Sequence, residues 1–145
     1  MPSVTVSSVA GKKYQQKISN GNHSVVSDVS TTSGGDDSGL DPKQLALGAL
    51  GACTAMTIIS RASKILPATN KPRWDVQSVK VTVTETKQTD PADATKKISV
   101  ISEDIEVTGN LTQQELDDIK ATAKQCPVYQ LFVGDKQIDC VVTKK

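Results

Sequence analysis

The first third of the chain alternates apolar and polar residues in short stretches, a pattern typical of β-strands. The alternation covers residues 4–6 and 14–18, and a third stretch begins with two valines at residues 25–26. Between the second and third stretches lies Asn20-Gly21, a dipeptide that readily adopts the positive φ angles of a tight hairpin turn. The pattern therefore predicts a small antiparallel meander.

A glycine- and aspartate-rich loop follows, and it predicts where the first helix begins. Residues 33–42 contain three glycines and three aspartates. At the end of this loop, Asp41 is a good N-cap, and Pro42 suits the first helical position, where no backbone N–H is needed.

The helix that begins there has no charged residue between Lys43 and Arg61, and its side chains are apolar or small on every face. A helix with this pattern is expected to be buried on all sides. The uncharged stretch is just short of the roughly 18 to 20 residues that a bilayer requires, so a central core helix is favoured over a membrane span. Gly48 and Gly51 predict close approach by another backbone, from a second helix or a second subunit.

Two long antiparallel strands are predicted next. Valines alternate with polar residues over 79–83, which indicates a half-buried strand, and apolar residues at 98 and 100 begin its partner. By residues 105–107 the apolar phase of this partner has shifted by one, which predicts a β-bulge near Ile101. Residues 87–95 are predicted to form a solvated loop between the two strands.

The strongest local signal is a capping box formed by Thr112 and Glu115, which predicts a helix from about Gln113. Cys126-Pro127 ends this helix, because a residue before proline is disfavoured in the α region. Pro127 can open a new short helix with Cys126 as its N-cap. A final strand is predicted over residues 136–143.

Composition indicates one soluble globular domain spanning residues 1–145. The chain is 37% hydrophobic and 23% charged, which suits a single packed core. A net charge of +1 and only four aromatics (one Trp, two Tyr, one Phe) argue against nucleic-acid binding. Residues 1–8 resemble neither an export signal nor an organelle-targeting peptide, so we expect a cytoplasmic protein with no membrane partner.

The chain has three cysteines, Cys53, Cys126 and Cys140, and one histidine, His23. An odd and sparse set of cysteines is not a secreted disulfide framework. A Ser-His-Asp hydrolase is disfavoured because the sequence has no G-x-S-x-G motif, and a zinc site is disfavoured because the short spacings of zinc ligands are missing.

The surroundings of the three cysteines predict different behaviour. Cys53 lies among alanines in the buried helix, so on its own it is best explained as a small core residue. For Cys126, a helix N-terminus can stabilise a thiolate, which leaves a reactive and an inert thiol equally open. Cys140 shares a strand face with Ile138 and Val142 and is expected to be inert core.

Two stretches resemble the signature regions of the OsmC / organic hydroperoxide resistance family, in its small OsmC-like branch. They are residues 34–57 (GGDDSGLDPKQLALGALGACTAMT) and 123–132 (AKQCPVYQLF). The resemblance implies an α+β OsmC-like fold, in which antiparallel sheets surround a central buried helix that contains Cys53. It also implies an intertwined homodimer with its sites at the subunit interface.

The resemblance further implies a Cys-based peroxidase that prefers organic hydroperoxides and takes part in oxidative-stress defence. Cys53 matches the thiol that attacks the peroxide and becomes a sulfenic acid, and Cys126 matches the thiol that converts it to a disulfide. A dithiol, in this family often a dihydrolipoyl group, then restores both thiols, and no metal, flavin or haem is needed.

The chain departs from the peroxidase members at two positions. They carry an arginine on the early strands and a glutamate at the start of the cysteine helix, whereas this helix starts with Lys43 and Gln44, and the only arginines are Arg61 and Arg73. Arg61 lies about 12 Å along the helix from Cys53. Two alternatives therefore stay open: a non-enzymatic member that binds an apolar ligand or a partner at the dimer interface, and a redox sensor.

Overall fold

The computed structural model describes residues 1–144, which form an α+β fold of helices and antiparallel strands. The chain divides into two compact units, Met1–Gly48 and the part from Ala49 onwards. The elements are β1 (Thr5–Ser8), β2 (Gln16–Ser19), β3 (Ser24–Ser27), α1 (Pro42–Ala62), β4 (Ile65–Leu66), β5 (Lys71–Pro72), β6 (Val76–Asp90), β7 (Asp93–Gly109), α2 (Gln113–Ala123) and α3 (Pro127–Phe132).

The predicted meander is confirmed in the first unit, where β1, β2 and β3 pair antiparallel in chain order. Residues 20–23 form the turn between β2 and β3, with Gly21 at a φ of 96°. The side-chain oxygen of Asn20 accepts hydrogen bonds from the backbone N–H groups of Asn22 (3.1 Å) and His23 (2.8 Å). The asparagine therefore organises this turn through an Asx interaction.

A buried carboxylate organises the glycine-rich loop of the same unit. Asp28 accepts the hydroxyl proton of Ser38 at 2.7 Å and backbone N–H groups of Val29 (2.8 Å), Asp36 (3.2 Å) and Ser38 (3.2 Å). The Ser38 hydrogen bond is the largest influence on this carboxyl and holds its pKa below the ordinary value, against the opposing effect of burial. Gly35 completes the turn, since a Cβ there would lie 2.1 Å from the Val29 carbonyl oxygen.

Helix α1 begins as predicted but is not buried on every face. Asp41 caps it by accepting the Gln44 N–H at 2.8 Å, and the Gln44 side chain accepts the Asp41 N–H at 3.0 Å. The buried residues form a single stripe, which comprises Leu50, Gly51, Thr54, Ile58 and Ala62. On the rest of the helix Met56 is 69% and Ile59 50% exposed. Within this one chain the strands cover only one side of the helix, and the expectation that a second subunit covers the rest stays a prediction.

By length and composition α1 could cross a bilayer. Its buried stripe instead contacts the hairpin of β6 and β7. The helix approaches the hairpin closely at Gly51, where a Cβ would lie 3.0 Å from a methyl group of Val83. Further along, Ile58 and Ala62 enter a core cluster with Trp74 and Ile119. This packing is that of the core helix of a globular unit.

The two long strands β6 and β7 are confirmed, but the loop between them is much shorter than predicted. Their pairing extends to Asp90↔Asp93, so most of residues 87–95 belongs to the strands. Polar side chains such as Lys87 and Lys97 can remain exposed while the backbone pairs, because the ladder hydrogen bonds do not require an apolar face.

The predicted bulge near Ile101 is wrong. Pairing runs without a register shift from Ser78↔Thr108 to Thr89↔Lys97. Directly paired residues share a face of the hairpin. Ile101, Glu103 and Ile105 therefore all lie on the face that contacts α1, whereas residues 98 and 100 lie on the other face. The apolar pattern changes face along the strand, and Glu103 interrupts the inner series.

The last two helices begin where the sequence predicts. Thr112 and Glu115 form both hydrogen bonds of the capping box of α2. Cys126 is the N-cap of α3, in an extended conformation with Pro127 at the first helical position. Both starts depend on residues within a few positions of each other, which is why the local sequence predicts them.

The predicted final strand is absent from the part of the chain that the structure describes. Residues 135–144 have no regular secondary structure, and Ile138, Cys140 and Val142 are exposed. The expectation that Cys140 is inert core was therefore wrong. A strand needs a sheet edge to pair with, and alternation of side chains alone does not provide one.

We expect Asp28→Asn to destabilise the first unit at neutral pH, because three donors converge on one carboxylate oxygen that an amide nitrogen would replace. The pKa of Asp28 is lowered by folding, so its contribution is present above the unfolded value of about 3.9 and is lost as pH falls through the folded value. The Tm of the variant should be a few degrees below wild type at pH 7, and the difference should shrink towards pH 2.

Asp37→Asn is the matched control, since Asp37 is an exposed residue of the same loop and loses the same charge. An equal Tm for Asp28→Asn and Asp37→Asn at pH 7 would contradict the role given to Asp28.

Candidate functional site

The structure brings together the two cysteines that the sequence singled out. Cys53 lies in the middle of α1, and Cys126 lies at the start of α3, 73 positions later by their residue numbers. Their thiols are close enough that Cys53 raises the pKa of Cys126. Helix packing therefore creates a pair of adjacent thiols, from which the exposed Cys140 is absent.

Cys126 is completely buried, with 0% of its surface exposed. Its sulfur accepts the backbone N–H of Tyr129 at 3.1 Å, as an N-cap side chain does. Burial is the largest effect and raises the pKa of this thiol, while the Tyr129 N–H lowers it and the neighbouring Cys53 raises it. Burial therefore outweighs the helix N-terminus, so Cys126 is a protonated thiol at neutral pH.

Cys53 is only half-buried, and it lies at one end of an open groove along α1. The groove has a volume of about 360 Å³ and also contains Arg61 and Lys64. Arg61 lies eight positions after Cys53 on the same side of α1, and Lys64 follows just beyond the end of the helix. The Arg61 guanidinium donates a hydrogen bond to the side-chain oxygen of Gln125, the residue before Cys126.

Sequence reasoning missed two polar residues beside the thiols. Thr54 is fully buried, and its hydroxyl donates a hydrogen bond of 2.7 Å to the carboxylate of Glu103 on β7. The same threonine lies near Cys126 and acts to lower the pKa of its thiol. The sequence signal was Glu103, which lies midway between Ile101 and Ile105 in the alternating series. We interpreted the resulting change of apolar phase as a bulge.

Glu103 also faces a mainly apolar cavity of about 270 Å³. The cavity is lined by Leu50, Ser99, Ile101, Glu103, Tyr129, Phe132 and Val133. Its wall includes Tyr129, whose backbone holds the Cys126 sulfur. A larger groove of about 410 Å³ between β7 and α2 contains neither thiol.

The arrangement suits thiol chemistry. Two adjacent thiols can form a disulfide, and one of them is reachable from a groove while the other is shielded from solvent. Within residues 1–144, no group of three or more His, Cys, Asp and Glu side chains is arranged to hold a metal ion.

Comparison with known proteins places this arrangement in a family context. The family model described as OsmC-like protein matches residues 35–141. No curated protein matches the sequence. An OsmC-like protein from Mycoplasma pneumoniae superimposes with a TM-score of 0.65 at 18% identity, over 90% of this chain and 87% of that one.

Two further solved structures carry names that mention a biological role. The organic hydroperoxide resistance protein OsmC from Legionella pneumophila has a TM-score of 0.60 and 18% identity, over 92% of this chain and 91% of that one. The organic hydroperoxide resistance protein OhrB from Bacillus subtilis has a TM-score of 0.58 and 14% identity, over 92% of each chain. At these identities the likeness concerns the fold.

We expect the thiols of Cys126 and Cys140 to differ in their rates of alkylation in the native protein. Cys140 is exposed, whereas Cys126 is buried and has a raised pKa, so N-ethylmaleimide should modify Cys126 at least about tenfold more slowly than Cys140 at pH 7. Peptide mass spectrometry of a quenched time course measures both rates. In denaturant the two rates should become equal, and comparable rates in the native protein would contradict the burial of Cys126.

Proposed function

Because the chain belongs to the family of OsmC-like proteins, we propose that it is a thiol-dependent peroxidase of oxidative-stress defence. Its substrates in this proposal are organic hydroperoxides and, less efficiently, hydrogen peroxide. The observation that carries the proposal is the contact between the Cys53 and Cys126 thiols, of which only Cys53 is reachable from a groove. Two structural neighbours named organic hydroperoxide resistance proteins support it.

In the first step the Cys53 thiolate attacks the terminal oxygen of the hydroperoxide. The O–O bond breaks, Cys53 becomes a sulfenic acid, and the alkoxide takes a proton and leaves as the alcohol. Cys126 supports this step, because a protonated neighbouring thiol can donate a hydrogen bond to the attacking sulfur. Two adjacent thiolates would repel each other, so a single negative charge is favoured in the pair.

In the second step Cys126 attacks the sulfenic sulfur. The S–O bond breaks, a disulfide between Cys53 and Cys126 forms, and hydroxide leaves and becomes water. A dithiol such as a dihydrolipoyl group then reduces the disulfide by thiol exchange and is itself oxidised. No metal or organic cofactor takes part in these steps.

We propose counterparts in this chain for the charged residues that the peroxidase members carry at other positions. Arg61 and Lys64 line the groove of Cys53 and provide positive charge along the approach of the peroxide. A carboxylate comes from Glu103 on β7, which contacts Thr54, the residue after Cys53. We propose that this different placement replaces the glutamate that the start of α1 lacks.

The same observations bear on assembly. The matched residues 35–141 include parts of both compact units, so we propose that the chain forms one OsmC-like domain. The exposed apolar side of α1, with Met56 and Ile59, supports a homodimer in which a second copy covers this helix and the groove of Cys53.

A second function is favoured by the cavity beside Glu103. Its apolar lining and volume of about 270 Å³ suit a small apolar ligand, so a non-enzymatic binding protein is the alternative. A redox sensor would use the same two cysteines as the enzyme. Steady-state turnover of peroxide distinguishes the enzyme from the sensor.

Sedimentation velocity should detect a homodimer at micromolar concentration. Ile59→Glu should shift the protein towards monomer, because it places a charge on the apolar side of α1. Lys120→Glu, the same charge change on an exposed residue of α2, is the control. A monodisperse monomer of wild type across this range would contradict the homodimer.

The three cysteine-to-serine variants should differ in kind when cumene hydroperoxide is consumed with a dithiol reductant. Cys53→Ser should lose more than about a hundredfold of the activity, because the attacking sulfur is gone. Cys126→Ser should undergo one oxidation and stop at a sulfenic acid that dimedone traps, as seen by mass spectrometry. Cys140→Ser should resemble wild type. Equal peroxide loss in wild type and Cys53→Ser would favour the binding protein instead.

A further inference from the structure

Glu103 is a half-buried carboxylate without a counter-ion in the described part of the chain. Its Oε1 accepts a hydrogen bond of 2.7 Å from the hydroxyl of Thr54, which is itself fully buried, and its Oε2 accepts none there. Among residues 1–144, no lysine, arginine or histidine forms an ion pair with it. A hydroxyl holds a carboxylate in place without neutralising it, so the negative charge of Glu103 stays available to a ligand.

The cavity of about 270 Å³ that Glu103 faces is mainly apolar, and Glu103 is the one charged residue of its lining within residues 1–144. Leu50 and Ile101 supply aliphatic surface, and Tyr129 and Phe132 supply two aromatic side chains. Aromatic rings attract cations through their electron-rich faces. A lone carboxylate next to aromatic side chains therefore suits an organic cation better than a neutral or anionic ligand of the same size.

The cavity opens to solvent through apolar side chains. Ile101, Phe132 and Val133 line it and are 37% to 40% exposed. Its volume lies just below the range of about 300 to 1,000 Å³ that is typical of pockets for drug-sized ligands. The entry and the volume thus fit a small molecule whose apolar body covers this surface.

We infer that this cavity binds a small organic ammonium ion, with its charged group on Glu103 and its apolar body against Leu50 and Ile101. The inference goes beyond the proposed function, because it requires neither thiol and no peroxide. It also narrows the ligand of the alternative binding function from apolar compounds in general to cationic ones.

The larger groove of about 410 Å³ between β7 and α2 also borders Glu103, but it suits an ammonium ion less well. It contains Lys120, whose positive charge repels a cation, although it also contains Asp117. Its lining has no aromatic side chain among the described residues. We therefore place the ligand in the smaller cavity, and Asp117 offers a variant that distinguishes the two locations.

The test is a titration of the reduced, full-length protein with phenethylammonium at pH 7, followed by ¹H–¹⁵N correlation spectra. Shift changes should concentrate on the amides of residues 99–103 and 129–133 and give a dissociation constant. The neutral analogue 2-phenylethanol should bind at least about tenfold more weakly, because it lacks the charge that pairs with Glu103. The anionic analogue 3-phenylpropanoate should not bind measurably.

Glu103→Gln keeps an oxygen that accepts the Thr54 proton and removes only the charge. It should weaken phenethylammonium binding at least about tenfold and leave 2-phenylethanol binding unchanged. Phe132→Leu, which keeps an apolar side chain, should weaken it about threefold. The matched control is Glu106→Gln, since Glu106 lies on the opposite face of β7 and pairs with Lys80.

The ammonium ion could also belong to a lysine side chain of another protein. A lysine side chain has no compact apolar body to fill the cavity, so Nα-acetyl-lysine methylamide should bind at least about fivefold more weakly than phenethylammonium. Equal binding of the two probes would overturn the assignment to a small molecule in favour of a protein partner.

Three further results would overturn the inference. They are equal affinity of wild type for phenethylammonium and 2-phenylethanol, wild-type affinity in Glu103→Gln, and a loss in Asp117→Asn as large as that in Glu103→Gln. The first needs no variant, so the inference stays testable if a substitution prevents folding, which the same spectra detect. Because no peroxide is present, a negative result here and a negative peroxidase assay are separate outcomes.

Discussion

The close approach of α1 to the β6–β7 hairpin at Gly51 is the contact on which the candidate site depends. A side chain at Gly51 would press on Val83 at 3.0 Å, so any larger residue would move the helix outwards. Val83 is the direct cross-strand partner of Glu103. Thr54 lies one helical turn after Gly51 and therefore reaches Glu103, and its neighbour Cys53 is placed beside Cys126. Because Gly51 has no side chain, α1 lies close enough to the hairpin for Thr54 to reach Glu103 and for Cys53 to lie beside Cys126.

The surroundings of the two thiols divide their proposed roles. Burial costs a thiolate its hydration, and at Cys126 this effect exceeds that of the Tyr129 N–H. A six-residue helix offers few aligned peptide dipoles to offset it. Cys53 is more accessible, because it borders a groove that contains Arg61 and Lys64. In the proposed mechanism the accessible thiol therefore attacks the peroxide and the buried thiol forms the disulfide.

In the proposed function the carboxylate beside the site lies at another position than in the peroxidase members. Solved relatives share the fold at 14% to 18% identity, so most side chains differ between them and this chain. Here the start of α1 has Lys43 and Gln44, and Glu103 of a neighbouring strand contacts Thr54, the residue after Cys53. A strand residue can take this place because alternate residues of β7 face the helix.

The sequence by itself determined the features that depend on neighbouring residues. The Asp41 cap, the capping box of α2, the Asn20-Gly21 turn and Cys126 at the start of α3 are hydrogen bonds or backbone preferences within a few positions, so local chemistry specifies them. The motif resemblance added the pairing of Cys53 with Cys126.

Only the tertiary structure decided which side of α1 is covered, that β7 continues without a bulge, that residues 136–143 form no strand within the described chain, and that Glu103 accepts a hydrogen bond from Thr54. Each of these depends on contacts between residues far apart in sequence. A periodic pattern identifies a face but does not say what covers it, because that is set by the packing of other elements.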